Sequence, residues 1–214
     1  MSFDSLAPHY RWMEWLLAGR KLQRCRTTFL PGLPRPRHAL LLGEGNGRFL
    51  PELLAAHPGA PVTCVDASAA MIERARARLR SRGINPEAVE FVQADVLAWS
   101  PPRAQYDLVV AHFFFDCFRR DQIERLVDGL DRATTPDAQW LLSDFCVPPA
   151  GLAKWRARWI VRSLYIFFRR VTGLAASHLI PAEEFLVPRG YILRERRLSE
   201  WGLLHADWWT REAA

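Results

Sequence analysis

Much that would mark a membrane, secreted or metal-holding protein is missing from this sequence. No stretch reaches the roughly 18 consecutive apolar residues that a membrane-crossing helix needs. The nearest, Trp159 to Phe168, is interrupted by Arg162. Residues Met1 to Pro8 carry no basic segment followed by an apolar one, so no secretory leader is expected there. Cys25, Cys64, Cys117 and Cys146 stand far apart, with no Cys-x-x-Cys pair. Zinc and thioredoxin-like sites need close pairs to aim two sulfurs at one point, and neither is supported. Cys64 and Cys146 fall in apolar runs, where a thiol behaves as a small hydrophobe. Lysine is scarce, and the net charge of +6 rests on arginine scattered along the chain. With no unbroken basic run, no nucleic-acid partner is expected. The expected location is the cytoplasm.

What is present is an ordinary globular balance. Half of the 214 residues are hydrophobic and 24% are charged, enough for one domain with a substantial core. Nine Trp and twelve Phe make the aromatic load heavy. Such side chains fill cores and also line apolar ligand pockets. Residues Asp4 to Leu30 read as an N-terminal helical cap, with Tyr10, Met13, Leu16 and Leu17 at helical spacing, and Pro31, Pro34 and Pro36 follow as a linker. Short apolar runs then alternate with amphipathic helices. Strands are expected at Ala39–Leu42, Val62–Val65, Val89–Val92, Tyr106–Ala111 and Gln139–Leu142 extending to Phe145, with helices at Asn46–Ala56, Ser68–Arg82 and Asp121–Ala133. Ser68 suits a helix cap and Gly83 a helix stop. Tyr191–Leu198 and Leu203–Trp209 read as an antiparallel hairpin at the sheet edge. The expected fold is a single α/β domain, Rossmann-like and doubly wound, with a mainly parallel seven-stranded sheet.

The residues that carry chemistry lie at strand ends. Gly43-Glu44-Gly45-Asn46-Gly47-Arg48 follows the first strand directly. Glycines there let the chain turn tightly and let a ligand approach the backbone. A dinucleotide fingerprint would end on Gly where this chain has Arg48, which disfavours a nicotinamide-dependent oxidoreductase. Asp66 closes the second strand, at a point where a carboxylate can accept hydrogen bonds from ribose hydroxyls. Asp95 follows the third, within reach of an adenine amino group. Asp66 as a cap for the next helix and Asp95 as a turn residue are the competing readings.

With these residues and Tyr106-Asp107-Leu108-Val109-Val110-Ala111, the chain resembles the class I S-adenosylmethionine (SAM) dependent methyltransferases over Ala39 to Phe145. Its opening, Phe3 to Tyr10, is similar to that of quinone-biosynthesis and other small-molecule methyltransferases. The resemblance implies SAM as cofactor. It places Gly43, Glu44, Gly45, Asn46 and Gly47 beside the methionine part, Asp66 at the ribose and Asp95 at the adenine, with Ala67, Met71, Val96 and His112 also on the cofactor and Tyr10 closing over it. Leu41 and Glu44 depart from the family pattern, which usually has an acid and a small residue there. Glu44 can instead face the cofactor's ammonium group.

Methyl transfer from a sulfonium needs alignment, exclusion of water and, where the acceptor carries a proton, a base. His112 is the first candidate base and Asp116 the second; packing or helix-starting roles compete. His112-Phe113-Phe114-Phe115-Asp116 lacks the Asn/Asp-Pro-Pro-aromatic pattern of DNA-base enzymes and suggests an apolar pocket floor. Residues 150–180 read as a lid insertion. Within it Lys154, Arg158, Arg162 and Arg169 share one helix face, and Ile160, Leu164, Phe167 and Val171 another. Such a helix suits an acceptor lid, a peripheral contact with an anionic membrane, or a plain surface helix. His178 stands near enough to reach the acceptor. The expected acceptor is small and apolar, such as a quinone precursor or a polyketide-like phenol. A non-catalytic SAM-binding subunit stays open beside the enzyme.

Overall fold

The computed structural model describes residues 19–172 and 179–211, with backbone alone for 167–172. Tyr10, His178 and residues 4–18 of the expected N-terminal helix lie outside them. The principal elements are α1 (Gly19–Arg26), β1 (Ala39–Leu42), α2 (Leu50–Ala56), β2 (Val62–Asp66), α3 (Ala69–Ser81), β3 (Val89–Gln93), β4 (Tyr106–His112), α4 (Arg120–Ala133), β5 (Thr134–Phe145), α5 (Gly151–Thr172), α6 (Glu183–Leu186), β6 (Tyr191–Ser199) and β7 (Leu204–Arg211).

The seven strands form one sheet in the order β3-β2-β1-β4-β5-β7-β6. The first five are mutually parallel, and β7 runs antiparallel to both β5 and β6. The short, wholly apolar run of β1 has the cause expected of a central parallel strand: both faces are covered. Leu41 packs with Leu22 and Cys25 of α1 and Leu50 and Leu53 of α2. Leu40 and Leu42 face the other way, with Ile123, Leu126 and Leu130 of α4 and Phe185 of α6. Each such side chain removed from water contributes about 1.5–3 kcal/mol. Trp140 and Trp209, directly paired across β5 and β7, are buried among these layers.

Two expectations about element bounds are corrected. The helix expected from Asn46 starts at Leu50, because Gly43, Gly45 and Gly47 all take left-handed φ values of 58°, 61° and 70°. β5 begins at Thr134 rather than Gln139, pairing there with Tyr106 across a register shift. The antiparallel C-terminal hairpin joins the sheet edge as expected. Its second strand, β7, bonds to β5, and β6 becomes the edge. The capped helix is as expected: Ser68 Oγ accepts from Met71 N at 3.2 Å, and Gly83 follows its end with φ +71°. Among the described residues no helix is long and apolar enough to cross a membrane.

Candidate cofactor and acceptor site

The parallel registers set Leu42 beside Val65 and Ala111, and Asp66 beside Gln93. The loops after β1, β2, β3 and β4 therefore emerge side by side on one sheet edge, where open α/β sheets bind ligands. At their centre is the Gly43–Gly47 turn. A Cβ on Gly43 would run into the Phe114 ring, and one on Gly47 would lie 2.7 Å from the Ala75 backbone of α3. Only glycine allows the turn to sit this close to its neighbours.

Asp66 binds the turn to the next loop. Its Oδ2 accepts from Gly45 N at 3.0 Å and its Oδ1 from Ser68 N at 2.9 Å. A carboxylate has about four acceptor positions, and these two bonds use two of them. Met71 is buried close by, whereas Ala67 is exposed. Asn46 is buried, and its carbonyl accepts from Arg78 Nε at 2.8 Å. Past β3, Asp95 stands exposed with Oδ1 held by Leu97 N at 3.0 Å, and Val96 is buried behind it. The structure thus gathers Gly43 to Gly47, Asp66, Ala67, Met71, Asp95, Val96 and His112 at neighbouring strand ends.

Glu44 has a structural task that its sequence position did not disclose. Its Oε1 accepts from Phe49 N at 2.6 Å and Leu50 N at 3.1 Å, capping α2 from five residues away. A carboxylate there also meets the positive end of the helix. Burial raises its pKa, while Arg26 and the two amides pull it down.

His112 ends β4 with its ring edge-on to Phe49, centroids 4.8 Å apart. Both ring nitrogens are buried, and among the described residues neither has a hydrogen-bond partner. Burial, and then the nearby Arg26 charge, hold its pKa well below the ordinary value, so the ring is neutral. Phe113, next in sequence, takes a left-handed φ of 54°, and the Arg26 guanidinium lies 5.0 Å from its ring centroid. Strain of this kind costs about 1–3 kcal/mol and clusters at functional sites.

These features fit SAM on the chemistry of the donor set. The turn offers half-buried glycine backbone at Gly43 and Gly45, Asp66 sets a carboxylate beside it, and His112 presents two buried ring nitrogens that no described residue satisfies.

Beyond the ends of β4 and β5, under α5 and α6, a cleft of about 1170 Å³ opens. Phe115, Phe145, Trp155, Trp159, Tyr165 and Ile180 form its apolar walls. Its polar groups include Asp144, Arg196 and His205 from β5 to β7, and Arg158, Arg162 and Glu183 from α5 and α6. His112 is not among its walls. Arg196 is already held: Nε and Nη2 reach the Asp207 carboxylate at 2.7 and 2.5 Å, and Nη2 reaches Glu183 at 2.6 Å. Asp144 and Asp116 are different. Burial raises Asp116 to about 6, and burial helped by the Asp116 charge raises Asp144 well above the usual carboxylate range. Tyr165 of α5 donates from Oη to the Asp116 carbonyl at 3.4 Å, joining this pair to the helix above. Sequence reasoning ranked Asp116 second and passed over Asp144, Tyr165 and Arg26. An acid closing the apolar run Trp140 to Ser143 was the available signal for Asp144. Nothing local marked the other two.

Comparison with known proteins agrees with this geometry. A family model described as a methyltransferase domain matches residues 39–137. A demethylmenaquinone methyltransferase of Thermus thermophilus is 31% identical over 151 residues, 70% of this chain and 66% of that protein. A trans-aconitate 2-methyltransferase of Paracidovorax citrulli is 45% identical over 76 residues, 35% of this chain and 26% of its own. Among solved structures, mitomycin 7-O-methyltransferase superposes with a TM-score of 0.72 at 18% identity, covering 99% of this chain and 61% of that one. A SAM-dependent methyltransferase of Methanosarcina mazei superposes with a TM-score of 0.61 at 18% identity, covering 85% and 95%. The chain thus spans about two thirds or less of the curated relatives it matches. At these structural identities the likeness is one of fold, and the sequence matches supply the family: the chain belongs to the SAM-dependent methyltransferases.

Proposed function

We propose that the protein transfers a methyl group to a small apolar or aromatic acceptor held in the cleft under α5. The observation that carries this reading is the cleft itself, about 1170 Å³ with aromatic walls, opening beside the strand ends that gather the cofactor-site residues. Bound SAM supplies an electrophilic methyl on a sulfonium sulfur. The protein's part is to hold the acceptor in line and keep water out, which Trp155, Trp159 and Phe145 do by covering it. For an acceptor hydroxyl, the Asp144–Asp116 pair is the proton acceptor, in place of the base role that the sequence suggests for His112. Asp144 lines the cleft, whereas His112 packs against Phe49 outside its walls. A base with a raised pKa also takes a phenolic proton more readily near neutral pH. His112 keeps a place on the cofactor side, with the Gly43–Gly47 turn, Asp66 and Asp95.

A second surface supports peripheral membrane contact, suited to a lipophilic acceptor and a cytoplasmic protein. α5 has no acidic residue, carries Lys154, Arg156, Arg158 and Arg162, and exposes Leu152, Trp155 and Trp159.

The test is release of S-adenosylhomocysteine from SAM with a panel of phenols and hydroquinones. Turnover with any of them, lost in Asp66→Ala, is the expected result. SAM binding without turnover across the panel would favour the non-catalytic subunit, and no SAM binding would remove the reading altogether.

A further inference from the structure

On its helix side the cleft is walled by one continuous stripe of α5. Trp155, Arg158, Trp159, Arg162, Tyr165 and Ile166 follow the three- and four-residue spacing of a single helix face, and all six line the cleft. Four of them are aromatic or apolar, as a cover for an apolar acceptor requires. Arg158 and Arg162 are the departure.

α5 carries four cations between Lys154 and Arg162, and they differ in what they touch. Lys154 Nζ donates to the Pro149 carbonyl at 3.1 Å. Arg156 Nη1 donates to the Glu200 carbonyl at 3.1 Å, and its guanidinium lies 5.4 Å from the Trp201 ring centroid. These two are engaged away from the cleft. Arg158 stacks on Trp155, 5.6 Å from the ring centroid. Among the described residues neither Arg158 nor Arg162 has a carboxylate or carbonyl partner. Four positions apart on a helix, their like charges repel. The acids of the described cleft walls do not answer them. Glu183 is paired with Arg196 at 2.6 Å, and burial favours the neutral form of Asp144. Both arginines are exposed, so they stay hydrated and charged until an anion reaches them.

Resting on the acceptor reading above, we propose that Arg158 and Arg162 bind an acid group on the acceptor, which makes the substrate class an aromatic hydroxy acid. Its ring lies between the aromatic walls and its carboxylate meets the two guanidinium groups, whose forks pair with carboxylates through parallel N–H···O bonds. Holding the acceptor by its far end fixes which hydroxyl faces the cofactor side. The volume suits a molecule longer than one phenol ring: the cleft of about 1170 Å³ exceeds the roughly 300–1,000 Å³ of pockets for drug-sized ligands.

The experiment is calorimetric titration of the full chain, saturated with S-adenosylhomocysteine, with matched probes of three ring lengths. These are a hydroxybenzoate, a hydroxycinnamate and a hydroxynaphthoate, each against its neutral carboxamide. In at least one pair the acid is expected to bind about tenfold tighter, with the preference shrinking as salt is added. The double variant Arg158→Met/Arg162→Met should erase that preference by weakening the acid alone, and the double lysine variant should retain part of it. Melting temperatures show that the variants fold. If the double methionine variant does not, the single variants and the wild-type ratio decide. Equal binding of acid and amide in all three pairs, or a preference that survives in the variant, would overturn the assignment and leave an aromatic acceptor in place. A variant that keeps the preference but loses sedimentation with phosphatidylglycerol vesicles would overturn it too, and would give the arginines to lipid phosphates instead. If no acid or amide binds at all, the acceptor reading falls, and this assignment with it.

Discussion

Individual residues of the glycine turn carry its geometry, and two glycines show how differently a Cβ is tolerated. Gly43 has φ +58°, and an added Cβ would enter the Phe114 ring; Gly83 has φ +71° with nothing within 4 Å. Gly83→Ala should therefore cost only the left-handed backbone penalty, about 1–2 kcal/mol. Gly43→Ala adds a clash between loop and pocket floor, so about 2–4 kcal/mol is expected, with weakened S-adenosylhomocysteine binding. Urea denaturation of the two variants is the check. Equal losses would mean that Phe114 yields freely and does not fix the turn. The cofactor-side residues were legible because glycines and acids at strand ends have few other uses. The role of Glu44 as a distant cap was not, since it depends on where Phe49 and Leu50 bring their amides.

At the scale of elements, α5 is the least committed to the core. Leu152, Trp155 and Trp159 are 87%, 62% and 69% exposed, against a helix whose ionisable side chains are all basic apart from Tyr165. On the membrane-contact reading, sedimentation with phosphatidylglycerol vesicles should exceed that with phosphatidylcholine vesicles. Trp159→Ala should weaken it by about tenfold, and salt should weaken it further. Binding that ignores both lipid charge and Trp159 would leave α5 as an acceptor lid alone. The helix itself was readable from its spacing over Lys154 to Val171. The start of α2 was not, because three left-handed glycines delay it to Leu50. Nor was the first half of β5, where Pro136 and Asp137 hide a strand that Tyr106 and Thr134 nonetheless open.

The whole molecule has a pH dependence that the Asp116–Asp144 pair should dominate. The groups facing the pair are Cys117 beside it, Tyr165 from α5 and, through its charge on Asp144, Asp207 from β7; Arg196 and His205 are tied to Asp207. Unfolded aspartate titrates near pH 4. Asp116 at about 6 and Asp144 higher bind protons that the unfolded chain has released. Stability from the pair is thus complete below about pH 4 and falls as pH rises through 6 and beyond. Asp144→Asn removes one of the charges. It should be more stable than wild type at pH 8 by on the order of 1–3 kcal/mol and equal to it at pH 4. No gain at pH 8 would show that water reaches both carboxylates. The sequence by itself determined the alternation of strands and helices, the doubly wound class and the edge that holds Gly43 to Gly47, Asp66 and Asp95. Those depend on local period, on glycine's freedom and on chain connectivity. Only the tertiary structure decided that β7 lies between β5 and β6, that Asp144 meets Asp116 beneath Tyr165, and that Arg26 is buried against the Phe113 ring. Each of those joins residues tens of positions apart, where burial and charge are set by packing that no local pattern records.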